Sequence, residues 1–409
     1  MHEWSQEHRM VRDAVRRFVD EEVRPHREAL EFGDLPPYDL LRRLFATFGM
    51  DVMAGEQFDR RIEREKAAAA GEPPAPGEDE GGGGLGAMFL IPVIELCRCS
   101  PGMVTALGVS AGLTAAAIMS RGTIAQKERW ARDLLTLDKV GAWAITEPDS
   151  GSDAFGQMRS TARRDGDEYV LNGSKTFITN GPHADTVVFI CKLDEDNPPE
   201  ERRVLSFVLE RGLPGFERSG PLRKMGLHSS PTGQLFLTDV RVGRDRLLGE
   251  TEEAPGGGRE SAKATFTTER TGVAAMALGI VDRCLELCVD YARERVQFGR
   301  PIGEYQLVQL KLAKMAVARF NLENMVFRQI GMAEAGEAMG LAEASACKLY
   351  AAGAAVEVAL EAVQLFGGNG YMAEYEVEQL ARDAKVLQIY GGTDEIQVSQ
   401  IARSLLAGA

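Results

Sequence analysis

Apolar positions recur at helical spacing through residues 2–30, where Trp4, Val11, Val15, Phe18 and Val23 mark one face of a predicted helix. Ser5 is placed to cap it, and Glu7 suits its first turn. Residues 88–135 again show helical spacing and are rich in Ala and Gly, with Gln126-Lys127-Glu128-Arg129-Trp130 near a helix start. Between them, residues 54–86 break the pattern. An Arg/Glu/Lys/Ala run is followed by Gly71-Glu72-Pro73-Pro74-Ala75-Pro76-Gly77 and by Gly81 to Gly84, a composition that predicts a mobile low-complexity loop. From about 140 to 250 the texture changes to short β-rich runs: Tyr169-Val170-Leu171, Thr186 to Ile190, Val204 to Val208 and Leu235-Phe236-Leu237. Asp165-Gly166 and Asn172-Gly173 read as hairpin turns, so an antiparallel β domain, a small barrel, is expected. Helical spacing returns from about 259, with helices expected near 260–296, 305–335, 341–366, 376–387 and 394–406. Long helices joined by short loops imply a bundle. The chain therefore reads as mainly α with a central β domain: a helical domain over 1–138 with a flexible insert at 54–86, a β-barrel over 139–250 and a helical bundle over 251–409.

Composition narrows the function classes. A chain of 409 residues suits two to four domains and can bury a large core without disulfides or metal. Hydrophobic residues make up 44% and charged residues 26%, as in an ordinary soluble enzyme. Mean hydropathy is −0.18, and no run of about 18 apolar residues is expected to cross a membrane. The start, Met1-His2-Glu3-Trp4-Ser5-Gln6-Glu7, is polar and acidic and lacks the order of a signal peptide, so a cytoplasmic location is expected. The net charge of −14 argues against a general nucleic-acid binder, although a local cluster could still hold a small anion. Six cysteines form no disulfide framework; Cys97-x-Cys99 and Cys284-x-x-x-Cys288 read as buried, inert thiols. The five histidines make neither H-x-x-H nor HExxH, so no catalytic metal is expected. Gly81, Gly83 and Gly86 spell G-x-G-x-x-G, but an acidic linker precedes them where a phosphate loop needs a strand.

Five segments carry more specific information. They are Trp143-Ala144-Ile145-Thr146-Glu147-Pro148-Asp149-Ser150-Gly151-Ser152-Asp153; Asn172 to Gly181; Arg295-Val296-Gln297-Phe298-Gly299 with Glu304-Tyr305-Gln306; Gln364-Leu365-Phe366-Gly367-Gly368-Asn369-Gly370-Tyr371; and Arg382 to Lys385 leading to Ile389-Tyr390-Gly391-Gly392-Thr393-Asp394-Glu395-Ile396-Gln397. In this order and spacing they resemble the acyl-CoA dehydrogenase family over nearly the whole chain except 54–86. The resemblance implies an α domain, a β-barrel and a four-helix C-terminal domain. It also implies a reaction in which a base takes the α proton of an acyl-CoA thioester while FAD accepts a hydride from the β carbon at N5. A separate electron-transfer flavoprotein then re-oxidises the flavin.

By that resemblance Trp143, Ile145, Thr146, Gly151 and Ser152 lie beside the isoalloxazine, with Thr146 a hydrogen-bonding hydroxyl, and Phe177, Ile178 and Thr179 flank it on another side. Arg295, Phe298, Gln306, Gln364, Leu365, Gly367 and Gly368 match the adenine and pyrophosphate end, which a neighbouring subunit completes in a homo-oligomer, a dimer or tetramer. Arg is apt for pyrophosphate and Gly allows close backbone approach. Thr393 and Glu395 close the site. Taken singly, Gly367-Gly368 could be a helix cap and Arg295 a solvated helix charge.

The base departs from the commonest pattern. Many members carry Glu in the I-Y-E-G-T run, where this chain has Gly391. A branch that includes isovaleryl-type and long-chain-type enzymes carries the base on an earlier helix, just before an arginine. Here that place reads Thr267-Thr268-Glu269-Arg270, so Glu269 is the candidate base, against a plain surface charge. Gly391 keeps a backbone N–H for the thioester oxygen. A buried Glu269 should have a raised pKa. Ser152, Thr267, Arg270, Tyr390, Gly391 and Gly392 are the candidate substrate contacts, with Tyr390 equally readable as core packing and Thr267 replacing the usual Asp or Asn. The insert reads as a linker, a cap over the acyl pocket or a docking segment. Competing readings are an acyl-CoA oxidase, usually longer at its C-terminus; a flavin monooxygenase, which generally lacks a carboxylate base; and a subunit of a heteromeric dehydrogenase. A DNA-associated flavoprotein is disfavoured by the net acidic 341–409 region.

Overall fold

The computed structural model describes residues 3–71, 85–253, 257–337 and 339–407, with the side chains of 85–86 and 257–268 outside that set. The N-terminal helix begins as its cap dictates: the Ser5 hydroxyl accepts from the His8 amide at 3.2 Å, and His8 Nδ1 accepts from the Ser5 amide at 3.3 Å. The stretch expected as one helix is α1 (Gln6–Phe18), a π turn (Val19–Val23), a 3-10 turn (Arg24–His26) and α2 (Arg27–Phe32). Then come α3 (Tyr38–Phe48), α4 (Met50–Ala69) and α5 (Leu85–Cys97). They are followed by α6 (Pro101–Leu107), α7 (Ala116–Arg121), α8 (Ile124–Gln126) and α9 (Arg132–Leu135), with π segments at Gly108–Ala115 and Lys127–Ala131.

α4 corrects the expectation of a loop from residue 54. Its Ala, Arg, Glu and Lys residues are good helix formers. Phe58 and Ile62 bury themselves against Trp130 and Leu134, and Lys127 pairs with Glu65 at 2.5 Å. Of the expected insert, residues 72–84, including Gly81 and Gly83, lie outside the described residues, and Gly86 already belongs to α5. A second correction concerns hydropathy. The helical stretches Pro101–Arg121 and Leu341–Tyr371 are long and apolar enough to cross a membrane by composition. Much of each is packed inside the fold, as core helices rich in Ala and Gly are.

The β strands are β1 (Gly141–Ala144), β2 (Thr161–Asp165), β3 (Glu168–Thr179), β4 (Thr186–Leu193), β5 (Val204–Glu210), β6 (Phe216–Arg218) and β7 (Thr232–Gly243). They form one curled seven-stranded sheet in the order β1-β4-β2-β3-β7-β6, with β5 on β4. It is mixed rather than purely antiparallel, because the β2–β3 hairpin intervenes and returns the chain to lay β4 parallel to β1 and to β2. Asp165-Gly166 is the turn of that hairpin, whereas Asn172-Gly173 lies inside β3 as a bulge. Gly173 has φ +148°, and a Cβ there would stand 2.3 Å from Ser160 Oγ. Asn172 is used to hold Asp239, itself at φ +49°, through its amide at 2.9 Å.

The C-terminal helices are α10 (Gly257–Glu294), α11 (Gln306–Glu334), α12 (Leu341–Phe366), α13 (Glu376–Lys385) and α14 (Asp394–Leu406); a short hairpin, β8 (Val296–Gln297) with β9 (Arg300–Pro301), joins the first two. α10 is the axis of the bundle. Val273 to Leu278, Ile280, Val281, Cys284 and Cys288 are all buried, so the second cysteine pair is packing, and all six thiols are buried and free. Three segments meet at one carboxylate: Glu376 of α13 accepts from Arg283 of α10 at 2.8 and 2.9 Å and from Arg24 at 2.6 Å. α5 touches α10 backbone to backbone, since a Cβ on Gly279 would lie 2.2 Å from the Ile94 carbonyl oxygen. Gly279→Val should therefore lower unfolding free energy by about 2–3 kcal/mol despite the usual cost of helical glycine, as measured by urea unfolding.

Candidate active site

Glu269 and Arg270 sit near the start of α10, and the loop before α14 is folded onto them. Arg270 is 6% exposed; its Nε donates to the Gly391 carbonyl at 3.2 Å and its NH1 to Ser345 Oγ on α12 at 3.1 Å. Gln397 Nε2 donates to the carbonyls of Gly391 at 3.2 Å and Gly392 at 2.7 Å. These two donors turn the loop carbonyls inward, which needs φ of +63° and +93° at the two glycines. Among the described residues no hydrogen bond uses the Gly391 amide.

The missing side chain at 391 is compensated in space. A Cβ built on Gly391 would lie 3.2 Å from Glu269 Cδ and 3.4 Å from its Oε1. The Glu269 carboxyl thus occupies the volume that a side chain at 391 would enter. Burial pushes this carboxyl up to about 7, against the pull of Arg270 and Lys348. Lys348 is fully buried on α12 and donates to Asp394 Oδ1 at 3.1 Å. Burial lowers its pKa, while Asp394 and Glu269 oppose that. Tyr390 donates to Met276 Sδ at 3.2 Å, and burial raises its phenol well above the usual range. Tyr390 therefore is anchored to the α10 core. Thr393 is the N-cap residue of α14, and Glu395 is exposed in its first turn. The side chain of Thr267 lies outside the described residues.

The second wall comes from the sheet. Trp143 and Ile145 are buried, and Thr146 is half-buried with its carbonyl accepting from the Thr176 amide at 2.9 Å. The segment is clamped from beneath by a buried ion pair. Lys175 Nζ donates to Glu147 Oε1 at 2.8 Å and to the Ile145 carbonyl at 3.0 Å. Burial pushes the Glu147 carboxyl up, but Lys175, Ser160 and the Arg159 amide outweigh it and hold it low. Beyond the clamp β3 is irregular, and Phe177 stands 68% exposed at φ +56° between buried Thr176 and Ile178. Thr179 is half-buried, and Gly151 and Ser152 are exposed on an open turn. α6 links this wall to the first. The Ala106 carbonyl accepts from Asn180 Nδ2 at 2.8 Å, and the neighbouring Thr105 hydroxyl lies against the Tyr390 phenol.

The remaining predicted residues lie elsewhere. Arg295, Gln306, Gln364, Gly367 and Gly368 are exposed at the far end of α10, with Phe298 95% exposed and Leu365 buried. Tyr291 stacks on Phe366 at 4.0 Å and joins the end of α10 to that of α12. Some 25 residues of helix, roughly 38 Å at about 1.5 Å each, separate this group from Glu269. Sequence reading missed Ser345, Lys348, Asp394 and Gln397. Gln397 and Asp394 stood inside a quoted motif without a role, and Ser345 and Lys348 lie in no motif at all.

Family models match the chain from end to end: acyl-CoA dehydrogenase N-terminal domain over residues 5–138, middle domain over 142–240 and C-terminal domain over 256–406. An acyl-CoA dehydrogenase of Bacillus subtilis is 37% identical over 409 residues, covering 99% of each chain. The structure of butyryl-CoA dehydrogenase from Megasphaera elsdenii superposes with a TM-score of 0.83 at 32% identity, covering 99% of each chain. Glutaryl-CoA dehydrogenase from Mycobacterium smegmatis in complex with FADH2 gives 0.79 at 26% identity, with 99% of this chain and 96% of that one covered. With this fold and these matches, the chain belongs to the acyl-CoA dehydrogenase family. It is an FAD-dependent oxidoreductase acting on CH–CH bonds, and its reaction is acyl-CoA dehydrogenation.

The residues present suit a flavin. Phe177 offers an aromatic face, Thr146 a hydroxyl, and a Cβ at Gly151, Gly367 or Gly368 would meet no atom within 4 Å, so the backbone there is open to approach. Lys175→Met would strand the Glu147 carboxylate without its counter-ion. It should cost about 3–5 kcal/mol of stability by urea unfolding and lower the flavin-to-protein absorbance ratio of the purified enzyme.

Proposed function

We propose that Glu269 is the catalytic base and the Gly391 amide the oxyanion donor of this dehydrogenase. The α proton of the acyl thioester passes to a Glu269 carboxylate oxygen. Negative charge building on the thioester oxygen is met by the Gly391 N–H. Arg270 and Gln397 keep the loop in the conformation that presents that amide. Tyr390 shapes the pocket beside it, and Ser152, Thr267 and Gly392 are further substrate contacts. FAD, when bound, supplies the acceptor for the hydride equivalent that leaves the β carbon. The product is the trans-2-enoyl thioester, and an electron-transfer flavoprotein takes the electrons onward.

The observation that carries this reading is the carboxyl of Glu269 in the volume of a side chain at 391, beside an amide that no hydrogen bond among the described residues uses. It supports placing the chain in the isovaleryl and long-chain branch. Two features support a homo-oligomer, a dimer or tetramer. The Arg295–Gly368 group is too far from Glu269 to serve the same flavin within one chain. In addition, α11 carries an exposed apolar stripe of Leu307, Leu310, Val317 and Phe320.

The test is anaerobic mixing of the flavin-loaded enzyme with straight, branched and bulky acyl-CoA thioesters while following flavin absorbance. Rapid bleaching by one class is expected, with a loss of about 10³-fold in Glu269→Gln, the middle of the range for a general-base contribution. Bleaching at an undiminished rate in that variant would place the base elsewhere. Because Glu269 must be ionised to accept the proton, the rate should rise with pH through about 7 and level off above it.

A further inference from the structure

Glu269 is not alone among ionisable groups in this part of the core. Arg270, the next residue on α10, is held by Ser345 of α12; Lys348, one turn further along α12, reaches Asp394 in the first turn of α14; and Tyr390 lies in the loop before that helix, each charge or phenol acting on its neighbours in the cluster. Arg270 is committed to the Gly391 carbonyl and Ser345 Oγ, so its guanidinium is a fixed tie. Lys348 is different. Its side chain is 0% exposed, yet its one described hydrogen bond is to a single carboxylate that is itself 23% exposed. Ser345 and Lys348 lie three residues apart on α12, on one helix face, so the same face that holds Arg270 presents the ammonium. A buried ammonium is costly, and this one is paired with a single, partly exposed carboxylate.

We propose that Lys348 is a positioning residue for the base: from α12 it supplies a fixed positive charge that keeps the Glu269 carboxyl ionisable at working pH, and Asp394 fixes where that charge sits. This deepens the assignment of Glu269 as base and rests on it. The two carboxylates compete for one ammonium, so the sign of each substitution follows. Removing the ammonium leaves Arg270 alone to oppose burial and drives the Glu269 midpoint up. Removing the Asp394 charge frees the ammonium for Glu269 and drives the midpoint down.

The holoenzyme would be titrated by infrared spectroscopy without substrate, with the protonated carboxyl band of Glu269 assigned by its loss in Glu269→Gln. The acid limb of kcat/KM would be recorded alongside. Lys348→Met should move the midpoint up by about one pH unit, the lower end for a nearby opposite charge, and Asp394→Asn should move it down. The double variant should fall between. An unmoved midpoint in Lys348→Met, or shifts of the same sign in both single variants, would overturn the proposal, since a loosened pocket has no reason to respond to charge sign. Should Lys348→Met not fold, Lys348→Arg with an unchanged midpoint and Asp394→Asn with a lowered one support it, and any other pair of results overturns it. Because the infrared midpoint is read without turnover, it stands even if Glu269→Gln proves active, which would instead remove the base assignment.

Discussion

The enclosure of α10 is the constraint from which the other features follow. Between Val273 and Cys288 this helix is surrounded by α5, α11, α12 and α13, and it meets α5 at a glycine with no room for a methyl group. Small residues at Ala274, Ala275, Ala277 and Gly279 let the neighbours approach closely, and burial of that length fixes the helix against sliding or rotation. Glu269 and Arg270 therefore emerge at a set place and height, and the 390–397 loop is fitted to them. The opposite end of the same rigid rod sets Arg295 and the Gln364–Gly368 turn.

Around that axis, buried charge is used where backbone must be held rather than where surface must be covered. Lys175 with Glu147 pins the Ile145–Glu147 segment beneath the wall that carries Phe177. Arg270 with Gln397 pins two glycine carbonyls. A further node joins α2, the 224–230 loop and α13. Asp383, fully buried, accepts from the Leu227 amide at 2.5 Å, and Glu31 meets His228 at 3.4 Å and Arg382 at 3.3 Å. Such contacts add little net stability compared with apolar packing, but each excludes alternative backbone paths, because a misplaced partner leaves a charge in a dry environment.

The sequence was legible where a pattern has one structural solution. The helices of the C-terminal bundle and the runs at 186–190 and 204–208 were clear because apolar periodicity reports burial directly. Ser5 was clear because a cap acts within three residues. Glu269 could be singled out only through resemblance, since a T-T-E-R run alone is compatible with an exposed helix turn. Three readings failed for identifiable physical reasons. The 54–69 run looked like loop because its apolar contacts are few, yet Phe58 and Ile62 suffice to dock a helix. Asn172-Gly173 looked like a turn, but the glycine answers to the crowding of Ser160. The parallel pairing of β1 with β4 depends on partners far apart in the chain. Lys348 was invisible for the same reason: its charge has meaning only through Asp394 and Glu269, both distant in sequence.

The buried state of Glu269 has a consequence for folding as well as for chemistry. Its value of about 7 in the folded chain lies above the ordinary 4.5, so the folded state holds a proton that the unfolded chain gives up over that interval. By linkage, this group's contribution to stability is complete below the unfolded value and is lost as pH rises through about 7. On the proposed role of Glu269, the step that would arm the carboxylate for proton abstraction withdraws support from the fold. As far as Glu269 is concerned, the protein is at its most stable in the ionisation state in which this carboxyl could accept no proton.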